Sequence, residues 1–441
     1  MKQLRAIFAL FFVGFFFVVA CTAPFDWSNI KFPCSETRAC TGGFVCSNGF
    51  CVAEGTVTEN NPSDGGVEHD PDSRFRPPVA EPKVAFLYVG PIGDFGWTWA
   101  HDQGRVALDK LGYKTTFAEA IAVKDAPAQI DDFIKNGYNL IVGTSHDFLV
   151  PLLSKTSVNE NVNFLTCSGF EVGKNMGSYF GRMYQIEWLA GMVAGAVTKT
   201  NRIGLLAPIA IPEVIRHINA FTNGVRTTNP KAEVIVVWIG NWFDVKREPL
   251  LTRELLDANA DVIHSHSDTS IPLEMIENKT GEPLTTKDGN KAYSIAYNSI
   301  NGCNFGPRTC LVSAYWNWAP ILIRILDKIK KGQWDPKEII WEPVKSDKND
   351  SSVGLSDMSS AVPGTARVEI TSWIPKLAKE GVDAEQLPFK APQKDNFGKE
   401  RLANGKLFTD KDLLNMCWFV EGVINPDGTP APVPAECKGD R

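Results

Sequence analysis

The sequence predicts an α/β protein built of two doubly wound, Rossmann-like lobes. Three observations lead there. After residue 82, short apolar runs alternate with amphipathic segments of helical length, the pattern of parallel sheets covered by helices on both faces. The apolar runs are near-continuous in Val, Ile and Leu, as in strands buried on both sides. The alternation also runs on too long for one six-stranded sheet, and a second series opens at Arg202-Ile-Gly-Leu-Leu-Ala-Pro.

Strands are expected at 84–89, 114–118, 140–143, 163–167, 203–206, 234–239, 262–266, 293–297 and 311–315. Each is bounded by turn residues or a helix-length segment. Helices are expected at 99–111, 126–136, 148–157, 185–198, 214–227 and 247–259. Ligands of doubly wound sheets sit beyond the carboxyl ends of the strands, so the strand exits are where function is sought.

The first exit reads Gly90-Pro-Ile-Gly93-Asp94-Phe95-Gly96-Trp97-Thr-Trp99-Ala-His101. Its glycine spacing is not the dinucleotide fingerprint. It offers a carboxylate, Asp94, and aromatic rings where a helix begins. Rings stack on flat heterocycles, and a carboxylate accepts from N–H or hydroxyl groups. Trp97 is the preferred ligand contact, His101 a further candidate, and Phe95 and Trp99 read as core. Other exits carry Ser145, which also suits a helix cap, Trp242 with Asp244, and His264-Ser-His266-Ser-Asp268. If the strand persists, His264, His266 and Asp268 share one face, and hydrogen bonding to a polar ligand is preferred over zinc. Asn298 and Trp316 complete the candidates. A nucleophile elbow, a phosphate loop and a His-Glu-x-x-His helix are absent, so no catalytic residue, cofactor or metal is expected.

The N-terminus has Lys2 and Arg5 followed by an apolar run from Ala6 to Ala20. That is the layout of a secretory leader. It ends in Val18-Val19-Ala20-Cys21, which resembles a bacterial lipobox. That resemblance implies that Cys21 carries lipid. The net charge of −6 becomes −8 without the leader's two basic residues, which argues against nucleic-acid binding. Ten cysteines in an exported chain suggest disulfides. Cys34, Cys40, Cys46 and Cys51 form a compact module in which the pairing is open. Zinc is the weaker reading there, because Cys-x-x-Cys pairs are absent. Cys303 and Cys310 are spaced to close one small loop, Cys417 and Cys437 to tie down the tail, and Cys167 is left as a buried thiol. Residues 53–82, rich in Pro, Gly, Ser, Asp and Asn, read as a flexible linker.

Several blocks stand in order: the motif from Val89 to Arg105, Gly181-Arg-Met-Tyr-Gln-Ile-Glu-Trp-Leu-Ala-Gly, Asn241-Trp-Phe-Asp, Phe305-Gly-Pro with Ser313-Ala-Tyr-Trp-Asn-Trp, and Met416-Cys-Trp-Phe-Val-Glu-Gly. Together they resemble the basic membrane protein family of lipoproteins, which are substrate-binding components of ABC importers for purines and nucleosides. The resemblance implies a periplasmic-binding-protein type I fold with two lobes and hinge strands. It also implies a cleft lined by Asp94, Trp97, Trp242, His266 and Asp268. The family often has an acid three residues after a late-strand Tyr, where this chain has Ile300 after Tyr297.

The expected organisation is a leader at 1–20, an anchor and cysteine module at 21–52 and the linker at 53–82. A first lobe spans 83–200 with a return segment near 291–325. A second lobe spans 201–290 with a C-terminal segment near 326–420, and a tail follows at 421–441. The expected function is capture of a purine base or nucleoside for an ABC permease, at the cell envelope and tethered to a membrane. The alternatives are a sensory or structural surface lipoprotein with an altered cleft, and a metal-binding lipoprotein using His264 and His266.

Overall fold

The computed structural model describes residues 44–47, 50–53, 74–169, 171–379 and 388–439. The leader, Cys21, Cys34 and Cys40 lie outside these residues, as do residues 54–73 of the linker. In the cysteine module, strands β1 (Phe44–Ser47) and β2 (Phe50–Ala53) pair antiparallel, with Cys46 opposite Cys51 in register.

The main body follows in chain order. It begins with β3 (Lys83–Leu87), α1 (Trp97–Lys110), β4 (Lys114–Ala118), α2 (Ala126–Lys135), β5 (Leu140–Gly143), α3 (Leu149–Thr156), β6 (Asn163–Cys167) and β7 (Met176–Gly181). The chain continues through α4 (Met183–Val197), β8 (Arg202–Ala207), α5 (Pro212–Thr228), β9 (Glu233–Trp238), α6 (Arg247–Asp257), β10 (Val262–Ser265), α7 (Ile271–Glu277), β11 (Tyr293–Asn298) and β12 (Cys310–Trp316). The remainder is α8 (Trp318–Lys331), β13 (Ile339–Glu342), β14 (Val353–Leu355), α9 (Gly364–Leu377), β15 (Gln393–Lys394), β16 (Glu400–Leu402), α10 (Asp410–Leu414) and β17 (Val423–Ile424).

Two sheets result. The first has the order β13-β7-β6-β5-β3-β4 and is parallel throughout. The second has the order β14-β12-β11-β10-β8-β9-β17, parallel except for β14. The central strands are buried, β5, β6 and β10 at every residue, whereas the edge strand β4 has no buried residue. All nine expected strands form, with end shifts of one or two residues.

The chain crosses between lobes three times, and this corrects the expected boundaries. It leaves the first sheet after β7, and α4 packs on α5 in the second lobe, so the first crossing falls at Arg182 and not near 200. The segment expected to return at 291–325 divides. β11 and β12 belong to the second sheet, and the return starts at α8, which packs on α1. β13 then completes the first sheet before β14 crosses back. The expected tail at 421–441 contributes β17 to the second sheet's edge.

The return is driven by the sequence of α8. Trp318, Ile321, Leu322, Ile325, Leu326 and Ile329 are buried at helical spacing, giving one apolar stripe. Lys328, Lys330 and Lys331 lie in its last turn and Gly332 ends it at φ 64°, both favourable at a helix C-terminus.

The helix pair α4 and α5 sits at the centre of the second lobe. A Cβ on Gly224 would lie 1.9 Å from the Trp188 carbonyl oxygen, and one on Gly191 2.0 Å from that of Phe221. Only glycine permits this approach. The expected disulfides Cys303–Cys310 and Cys417–Cys437 are formed, with Cα separations of 5.2 and 5.9 Å. Cys167 is a buried free thiol.

Candidate functional site

The strand exits of the two sheets face each other across a cleft, and the lobes touch at its mouth. Phe95, from the first lobe, meets Phe305 of the second edge to face at 5.5 Å. A Cβ on Gly96 would lie 2.8 Å from the Asp268 carbonyl oxygen. Phe95, read as core from sequence, is 52% exposed. It belongs to the rim and not to the packing beneath.

Inside lies a cavity whose space, counted out to its open mouth, is about 420 Å³. The first lobe lines it with Val89, Trp97, Ser145, His146 and Ser168, and the second with Glu213, Trp242, His266, Asp268, Tyr297 and Asn298. Six of the nine expected ligand residues are therefore brought together: Trp97, Ser145, Trp242, His266, Asp268 and Asn298. Ser145 also plays its expected capping role, accepting from the Asp147 amide at 3.2 Å.

The other three are placed differently. Asp94 accepts from the backbone amides of Gly96, Thr98 and Trp99 at 2.8, 3.0 and 3.0 Å. Its oxygens serve the start of α1, where the helix leaves amides unpaired. His101 is fully buried on α1, stacked on Trp318 at 4.4 Å with Nδ1 facing the Trp97 carbonyl. Trp316 is buried and stacked on Trp318 at 4.7 Å. It supports Trp97, which meets it edge to face at 5.5 Å, and does not line the cavity.

Trp97 is held firmly. Its indole N–H donates to the Thr144 carbonyl at 2.6 Å, so one edge is anchored by lobe 1. Asp268 and Asn298 form the polar centre. The Asn298 amide donates to Asp268 Oδ1 at 2.8 Å, while Asn298 Oδ1 is buried without a partner. Asn298 adopts φ 69°, which turns the chain sharply at the end of β11. Burial, reinforced by the nearby Asp94 charge, pushes the Asp268 carboxyl well above the usual carboxylate range.

Sequence reasoning missed Glu213. It stands in the first turn of α5, after the exit of β8, and is buried. Burial pushes its carboxyl up to about 7, against the opposing pull of Arg216 and a Ser168 hydrogen bond. The signal that could have found it is its place at a strand exit, in the loop after 203–206. His146 lay beside Ser145 and was likewise missed.

The shared face of His264, His266 and Asp268 holds in part. β10 ends at Ser265, which breaks the alternation before Asp268. His264 and His266 converge, with Nε2 atoms 3.1 Å apart. Their acidic neighbour is Glu187 of α4, whose Oε2 lies 2.8 Å from His264 Nε2 and 3.3 Å from His266 Nε2. Ile300 is 46% exposed and does not line this cavity.

A family model described as ABC transporter substrate-binding protein PnrA-like, Bmp, matches residues 81–361. The chain belongs to the Bmp family. A purine-binding protein of Brucella abortus is 31% identical over 349 residues, covering 77% of this chain and 92% of that protein. A putative ABC transporter glucose-binding protein, TsgA13, of Haloferax volcanii is 30% identical over 323 residues, covering 72% and 75%. Among solved structures, a transcriptional activator of the comK gene from Bacillus halodurans aligns with a TM-score of 0.57 at 22% identity, covering 68% of this chain and 98% of that one. A solute-binding protein of an ABC transporter system from Aeropyrum pernix gives 0.54 at 18%, covering 66% and 85%. These likenesses show the fold, that of type I periplasmic binding proteins. As a Bmp protein, the chain is a substrate-binding component of an ABC transporter.

Proposed function

We propose that this Bmp protein captures a purine base or nucleoside between its lobes and delivers it to an ABC permease while tethered to a membrane through Cys21. The observation that carries the ligand class is the pairing of indoles with convergent amide and carboxyl groups. Trp97 and Trp242 flank a cavity whose polar centre is Asp268 with Asn298, and whose wall includes Glu213. A flat heterocycle offers faces to the indoles and ring N–H, ring nitrogen or hydroxyl groups to the polar side chains. The purine-binding Brucella relative supports the same class. The lobes close on such a ligand by hinge motion. The lipobox-like Val18-Val19-Ala20-Cys21 supports the tether, since a thioether lipid with a second acyl chain anchors stably.

Calorimetry against nucleobases, nucleosides and glucose tests the ligand. A purine or nucleoside is expected to bind at micromolar concentration or below. Trp97→Ala should weaken binding about tenfold or more, from lost ring stacking and lost burial together. Binding of glucose alone, or of none of these, removes the purine reading. Undiminished affinity in Trp97→Ala removes Trp97 from the ligand. For the tether, Cys21→Ser should move the protein from the membrane to the soluble fraction. Unchanged partitioning would mean that Cys21 is not the anchor.

A further inference from the structure

Beneath the cleft, three electron-pair donors converge out of reach of solvent. Glu187, His264 and His266 are the one such group of metal-ligating side chains among the described residues. Glu187 is on α4, His264 on β10 and His266 just beyond it. The side chains of Glu187 and His264 are wholly buried, and that of His266 is 2% exposed. The separations Glu187 Oε2 to His264 Nε2, His264 Nε2 to His266 Nε2, and His266 Nε2 to Glu187 Oε2 are 2.8, 3.1 and 3.3 Å. Ligand atoms about 2.0–2.1 Å from a tetrahedral ion lie about 3.3 Å from one another. The triangle is thus close to one face of a zinc coordination shell.

The hydrogen-bond directions point the same way. His264 Nδ1 lies 3.2 Å from the Ile295 carbonyl oxygen. A carbonyl only accepts, so Nδ1 carries a proton there, and Nε2 is the nitrogen turned toward Glu187. The Nε2 atom of His266 lies beside this pair, so three ligand atoms converge on one point. A backbone carbonyl that fixes the imidazole tautomer is the usual outer support of a metal-bound histidine. The Glu187 Oε1 atom is buried without a hydrogen-bond partner, so this carboxylate has coordination capacity that the protein leaves unused.

We propose that Glu187, His264 and His266 form a binding site for zinc or a similar divalent transition metal, which clamps α4 to the exit of β10. Three protein ligands leave a fourth position open, and His266 lines the cleft, which gives the ion its route of entry. The clamp fixes the strand exit from which Asp268 reaches the cavity. This site is independent of whether the cleft takes a purine.

Full-length protein with its disulfides intact, stripped by chelator and then dialysed against zinc, provides the test. Elemental analysis should find one zinc per chain. Cobalt(II) in its place should give the intense visible absorption of a four-coordinate site without a thiolate charge-transfer band. In long-range nitrogen–proton spectra of the wild type, zinc should move the Nε2 signals of two histidines. Glu187→Gln and His264→Asn should each weaken zinc binding at least tenfold. Three results would overturn the proposal: no stoichiometric metal at micromolar zinc, unmoved histidine signals, or a thiolate band that places the ion on cysteines. The first two would leave the cluster as a proton-bridged pair of imidazoles on a carboxylate. Should the variants fail to fold, the wild-type spectra decide alone.

Discussion

Glu213 is a carboxyl buried at the start of α5, facing the cavity and Ser168. Its carboxyl titrates near 7 in the folded protein against 4.5 for an ordinary glutamate. The folded state therefore holds an extra proton between these values. Its contribution to stability is fully present below about pH 4.5 and is lost as pH rises through about 7. Glu213→Gln, which keeps the shape and removes the titration, should flatten the fall in urea-unfolding free energy between pH 5 and 8. Each tenfold difference in proton affinity between the folded and unfolded chain corresponds to about 1.4 kcal/mol. A variant whose pH profile overlays the wild type would show that Glu213 does not titrate there. At this scale the sequence was partly legible. Trp97, Trp242 and Asp268 could be placed because strand exits are fixed by the fold. Asp94 was not placed from sequence, because a carboxylate before a helix looks the same whether it faces a ligand or backbone amides, and only its three amide contacts show what it serves at the start of α1. Glu187 was invisible as a neighbour of His264, since 77 residues separate them and no local period connects them.

Helices α4 and α5 approach through glycine, and among the described residues their contact at Gly224 leaves the least room for a side chain. A methyl at Gly224 would enter the Trp188 carbonyl, which belongs to the backbone and cannot swing aside. Gly224→Ala should cost at least the upper end of the roughly 1–3 kcal/mol typical of overpacking, read as a lowered urea midpoint. Gly364→Ala at the start of α9 meets only the tip of the Arg367 side chain at 3.9 Å and should stay within about 0.5 kcal/mol of wild type. Equal effects at the two positions would show that close approach is not what selects glycine here. Gly191 of α4 was visible as the last residue of Gly181-Arg-Met-Tyr-Gln-Ile-Glu-Trp-Leu-Ala-Gly, but its partner helix was not. The stripe of α8 has a readable period, yet the aromatic cluster before it reads as a ligand site and masks the helix that follows. The two-residue β17 and three-residue β14 were beyond reach, because so short a run has no period and owes its conformation to the strand beside it.

Across the whole molecule, the three crossings lie side by side. The Arg182 amide donates to the Glu342 carbonyl at 2.7 Å and the Asn317 amide to the Ser352 carbonyl at 2.9 Å, while a Cβ on Gly181 would meet Val353 and Trp316. Two lobes were legible from the length of the alternation, but the crossing points were not, since a strand reads alike in either sheet. The outer edge of the second sheet carries a further consequence. β9 is Glu233-Val-Ile-Val-Val-Trp238, a β-branched run with no proline and one charge. Such a segment, left with unpaired backbone groups, is a template for intermolecular pairing. β17 occupies that edge, with Val423 opposite Val234 and Ile424 opposite Ile235, and the Cys417–Cys437 bond secures the chain around it. A chain ending at Glu421 and carrying Cys417→Ser should keep its buried Met416–Val420 stretch but uncover β9. Light scattering should then rise with protein concentration, and a β-sheet-specific dye should report fibrils. If this shortened chain stays monomeric at the same concentration, β17 is not a guard. If it assembles, the last residues of the chain protect the protein from its own kind.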